Sequence, residues 1–172
     1  MLSSDEQVRI LLRTGIAEPG IATSSGRMFE EDAIEAVRVR PAVDPAELAR
    51  VCPHGLLVVR LPRSARIDVT GAWWDVARDV TRAFAQQRQM TPLSAALTGV
   101  RIRAWGPLPF VATFLGYVVL VADLVELAQD GPDLVPAGPW AAAVENRRLH
   151  TSPGGRPAFV WTPPVGRIDA IT

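Results

Sequence analysis

The chain has 172 residues, of which 48% are hydrophobic, and its eighteen basic and eighteen acidic residues cancel to a formal net charge of zero. That balance excludes a disordered polyion and leaves no basic footprint for gripping nucleic acid, since acids and bases interleave. Every basic residue is arginine, and the single cysteine, Cys52, permits no intrachain disulfide.

The start, MLSSDEQVR, is polar and acidic, unlike a signal peptide. Ser3 and Glu6 form a capping box for a first helix reaching Arg13, with Val8, Leu11 and Leu12 inward. Residues 15–28 are rich in Gly, Ser and Thr and read as a loop. Residues 36–40 alternate apolar and charged as a half-buried strand would, although the acidic run 30–35 could extend a helix instead. Asp44-Pro45-Ala46-Glu47 opens a short helix that Pro53 and Gly55 stop. The apolar run 56–61 reads as a central strand covered on both faces, and 65–69 as a second strand joined to it by a short turn.

Residues 70–89 predict the central amphipathic helix, with Thr70 as cap. Trp73, Val76, Ala77, Val80 and Phe84 lie on one face; Asp75, Arg78, Asp79 and Arg82 lie on the other. Alternation over 100–105 predicts a strand with Val100, Ile102 and Ala104 on one side and Arg101, Arg103 and Trp105 on the other. The apolar stretch 110–129 predicts a buried helix. The uncharged run that overlaps it, 108–122, is too short to span a bilayer and contains Pro109 and Gly116, so no membrane association is expected. Residues 131–139 read as a Pro/Gly linker, 140–148 as a short helix, and 158–161 and 167–171 as terminal strands. Without regular βαβ alternation, these elements predict a single α+β domain, a mixed sheet of about five short strands flanked by helices.

No catalytic, cofactor-binding or metal-ligating set emerges. Cys52-Pro53-His54 suggests a thiol–imidazole pair, but the intervening proline keeps the two groups from facing each other, and a buried Cys at a helix end is the simpler reading. His150 has no identifiable partner, and Gly154-Gly155-Arg156 matches no phosphate-binding loop. Glu30, Glu31, Asp32 and Glu35 lack the spacing of a calcium loop and read as a solvated face, as do Asp123, Glu126 and Asp130. The residues that stand out are Arg101, Arg103 and Trp105, with Trp74 one step round the central helix from Trp73. Trp and Arg dominate interface hot spots, and Arg stacked on Trp in a solvated face is the competing reading.

LLVVRLPRSARIDV followed by WWDVARDVTRAFAQQR resembles the strand–strand–helix core of tail-terminator proteins of long-tailed bacteriophages, a group that includes head-to-tail connectors. The segments 100–107 and 158–161 would supply further strands. The resemblance implies a non-enzymatic virion protein without cofactors, assembled in the host cytoplasm into a ring, typically hexameric. Such a ring would join tail-tube or connector proteins, and DNA would traverse its lumen without specific binding. The rival expectation is a small enzyme or ligand-binding α+β domain whose site is scattered along the sequence.

Overall fold

A computed structural model of the chain describes residues 10–17, 20–24, 26–86, 90–128, 130–149 and 157–163. The segment with the strongest strand signal, Leu56–Arg60, becomes an interior strand of a five-stranded mixed sheet. Numbered in chain order, the strands are β1 (Ile21–Thr23), β2 (Gly26–Met28), β3 (Leu56–Arg60), β4 (Leu108–Phe114), β5 (Tyr117–Ala128), β6 (Gly131–Pro136) and β7 (Ala158–Trp161). The main sheet has the order β6-β5-β4-β3-β7; β1 and β2 form a separate antiparallel pair. β3 runs parallel to β4, with Leu57 opposite Phe110, and antiparallel to β7, with Leu57 opposite Val160. The β4–β5 and β5–β6 pairs are antiparallel.

Parallel pairing of β3 and β4 requires a crossover. It is supplied by α3 (Trp73–Gln86) and α4 (Pro92–Trp105), which follow α1 (Glu31–Arg38) and α2 (Pro45–Val51). Side chains alternate across the sheet, so it builds two cores. Leu57, Val59, Phe110, Ala112, Phe114 and Ala122 join Val76, Val80 and Phe84 of α3, together with Leu11, Leu12 and Val37. On the opposite face Leu56, Val58, Val111 and Val121 meet Leu48 and Cys52 of α2, and Ala141 and Val144 from the 3-10 turn Pro139–Ala143 onward. Residues buried on both sides give β3 its unbroken apolar run.

The expected α+β class with a mixed five-stranded sheet is what the chain adopts, and α2 starts as its capping residues dictate: Asp44 Oδ1 accepts from the Ala46 N–H at 2.9 Å, with Pro45 in the first turn. The central helix also buries the expected face, but it begins at Trp73. The Thr70 hydroxyl donates to Asp68 Oδ1 at 2.6 Å rather than serving as a cap.

Several elements differ from expectation. The expected helix 110–129 is, over its described residues 110–128, not a helix but part of the β4–β5 hairpin. Its turn is Leu115-Gly116, with φ of 52° and 87°, the left-handed pair that a two-residue hairpin needs. The β-branched and aromatic residues of VATFLGYVVLV favour a pleated sheet once a neighbouring strand buries both faces. Residues 131–136, read as linker, form edge strand β6, where prolines are tolerated. Conversely, 100–105 is the last part of helix α4, and 36–40 belongs mostly to α1. Residues 65–69 form no strand, and 140–148 hold the 3-10 turn, the turns after it and an isolated bridge from Arg148 to Ala42 and Tyr117. Within the expected loop 15–28 lies the β1–β2 hairpin. The first helix before residue 10, the end of the central helix at 87–89, and the expected strand 167–171 lie outside the described residues.

Candidate assembly interface

Helix α4 is built by local chemistry. Thr91 Oγ1 accepts from the Ser94 N–H at 3.2 Å, Pro92 fills the first turn, and Gly106 ends the helix at a φ of 84°, its N–H donating to Ile102 O at 2.8 Å. One side faces inward. Thr98 is fully buried and its hydroxyl donates to Ser94 O at 2.9 Å, while Ile102 packs on the core beneath α3. The other side carries Leu93, Leu97 and Val100, which are 69%, 51% and 50% exposed, flanked by exposed Ala96 and Ala104. Positions 93, 97, 100 and 104 are spaced four, three and four apart, the repeat of a seam between packed helices. α4 is therefore apolar on both sides although only one side is covered. A helix that is apolar all round is normally buried all round.

At the C-terminal end of α4 an aromatic column closes the stripe. The His54 and Trp105 rings stack with centroids 4.5 Å apart and planes within 3°. The Arg101 guanidinium carbon lies 6.0 Å from the Trp105 ring centroid, and Arg101 Nη1 donates to His54 O. His54 reaches this place through the tight turn after α2, in which the Gly55 N–H donates to Cys52 O at 2.9 Å. Gly55 has φ of 86°, and a Cβ there would meet Trp161 O at 2.4 Å, so only glycine fits.

The expected strand face of Arg101, Arg103 and Trp105 is thus corrected. On a helix Arg101 and Trp105 share a side at i and i+4, whereas Arg103 lies roughly 200° round from Arg101, exposed. Trp74 is 66% exposed but belongs to the start of α3. There it meets Trp73 edge-on at 4.8 Å, and Trp73 Nε1 donates to Val121 O at 3.3 Å. Sequence reasoning missed Leu93, Leu97 and Val100, although Thr91-Pro92 and the following Leu- and Ala-rich stretch carry a helix signal.

The remaining candidates find ordinary places. Cys52 caps α2 in the second core, where burial, aided by the charge of Asp123, pushes its thiol up to about 11. A thiol held protonated this way is not a nucleophile. Asp123 is no solvated helix residue: its carboxylate accepts from Trp140 Nε1 at 2.7 Å and from the Gly138 N–H at 3.0 Å. Arg147 pairs with Glu47 of α2 at 2.9 Å, partly shielded from solvent. His150 and Gly154-Gly155-Arg156 lie outside the described residues. Among the described residues no group of three or more His, Cys, Asp or Glu could hold a metal ion, and no helix is long and apolar enough to cross a membrane. No protein-family model, curated protein or solved structure matches the chain.

Proposed function

We propose that this protein is a structural subunit of a symmetric assembly, with the outer side of α4 as one of its interfaces. The observation that carries the reading is the exposed row Leu93, Leu97 and Val100 on a helix whose inner side already covers the core. Exposed apolar rows of this kind mark interaction surfaces. A closed ring needs two different patches that meet head to tail. A second patch is available in the β1–β2 hairpin, where Ile21 and Met28 stand directly opposite each other, 70% and 65% exposed. Arg101 and Trp105 lie at the end of the α4 row, with rim charges setting register and encounter rate more than affinity.

The particular assembly proposed is a tail terminator or head-to-tail connector ring of a tailed phage, placed in the virion against tail-tube or connector proteins. Support for that identity comes from the resemblance over residues 56–107, in which β3 and α3 take the implied form while 65–69 and 100–105 do not form the implied strands. Zero net charge fits a lumen that DNA crosses without the clustered phosphate contacts of tight binding. Negative-stain images of the purified protein, and of the particle that contains it, test the proposal. Closed rings are expected, and a monomer in both settings refutes it.

A further inference from the structure

The outer side of α4 is not complementary to itself. At about 100° per residue, the exposed row Leu93, Leu97 and Val100 runs between Arg101 on one flank and Arg103 on the other. α4 holds no acidic residue, and among the described residues neither arginine takes part in an ion pair. Two copies joined through parallel α4 helices would set arginine beside arginine. Joined antiparallel, they would set the arginines against the N-terminal end of the other α4, which offers no acid and bears the positive end of the helix dipole. The complement must come from another part of the chain, one with exposed apolar side chains and acids beside them.

The β1–β2 hairpin and the start of α1 fit that description. Ile21 and Met28 face each other across the hairpin and are the two most exposed large apolar residues outside α4 besides Trp74. Glu30, Glu31 and Asp32 follow Met28 directly in the chain after Phe29, and all three are exposed. The Glu30 side chain makes no capping bond to α1, and Glu31 and Asp32 occupy the first turn of that helix. Among the described residues these three acids enter no ion pair, since Arg38 takes Glu35. The β5–β6 edge also sets apolar residues beside acids, but Val125 and Val135 are each only 38% exposed.

We propose that the β1–β2 hairpin of one copy seats on the α4 row of the next, Ile21 and Met28 against Leu93, Leu97 and Val100, with the acids at the start of α1 facing Arg103. The inference rests on the assembly reading and names the two surfaces that meet. The apolar contacts supply the affinity, while the solvent-exposed charges fix the direction in which the hairpin seats.

Complementation between two disabled copies tests it. Met28→Glu spoils the hairpin and Leu97→Glu spoils the α4 row, so sedimentation velocity should find each variant monomeric where the parent assembles. Mixed one to one, the two should form a heterodimer and stop there, because only one intact pair of surfaces remains. Ile21→Glu should substitute for Met28→Glu with the same result, and circular dichroism checks the fold of each variant. Adding Arg103→Glu to the Met28→Glu copy should weaken the heterodimer about fivefold, and added salt should weaken the pair that keeps Arg103. A parent that is monomeric refutes the assembly reading and this inference with it. With an assembling parent, the inference alone falls if Met28→Glu and Ile21→Glu still associate with themselves, if the mixture stays monomeric throughout a concentration series, or if Arg103→Glu leaves the affinity unchanged.

Discussion

Phe84→Ala tests the packing of the central helix on the sheet. The ring is only 8% exposed and sits in the core that joins Val76 and Val80 of α3 to Leu57, Val59 and Phe110 of the sheet. Removing it deletes nearly the whole transfer free energy of a phenylalanine side chain and leaves a cavity, a combination that costs about 3–5 kcal/mol. Phe84 keeps 8% of its surface exposed, so the site can collapse more readily than a fully enclosed one. The expected value is therefore near the lower bound, about 3 kcal/mol. In a chain of this length each kcal/mol shifts the melting temperature by about 2–4 °C, so a drop of roughly 6–12 °C is expected. Urea denaturation at several protein concentrations separates this local loss from any stability contributed by assembly, which varies with concentration. A loss below about 1 kcal/mol would show that the apolar face of α3 is not packed as described.

Two further outcomes follow from residues around the second core and the aromatic column. Cys52, held up to about 11 against an ordinary 9.0, favours the folded state most while its thiol is protonated. Its contribution is complete below pH 9.0 and lost as pH rises toward 11, about 2–3 kcal/mol in all. Denaturation curves across that window should lose this slope in Cys52→Ala; an unchanged slope would mean that the thiol does not titrate differently on folding. Gly55→Ala forces a Cβ onto Trp161 O and a side chain into φ of 86°. The expected cost is about 2–3 kcal/mol by chemical denaturation, and a loss under about 0.5 kcal/mol would show that the turn adapts.

What was legible in the sequence depended on how far each segment's pattern was local. α2 was readable because Asp44 and Pro45 settle its start without help from distant residues. α3 was readable because its two faces meet different surroundings, core and water. α4 was not, because it is apolar on both sides, and six alternating residues at its end match a strand as well as a helix. The β4–β5 hairpin was misread for the same reason in reverse. A strand buried on both faces loses its alternation, and its turn uses Leu115 at positive φ, where asparagine or glycine would have signalled the bend. The candidate site was legible in part. Arg101 and Trp105 were singled out and do share one surface, but their partner His54 lies 47 positions away from Arg101, joined only by the fold.

The most direct test of the central claim is the mass of the protein in solution, measured by sedimentation velocity for the parent and for Leu97→Glu. Leu97 lies in the middle of the exposed row and is half exposed, so a charge there should leave the isolated fold intact, with a stability change within about 0.5 kcal/mol. In an apolar interface the same charge must be desolvated without a partner, at a cost of several kcal/mol per contact. The account predicts a closed oligomer for the parent and a folded monomer for Leu97→Glu. A parent that stays monomeric at every concentration, or a variant that assembles like the parent, would contradict it.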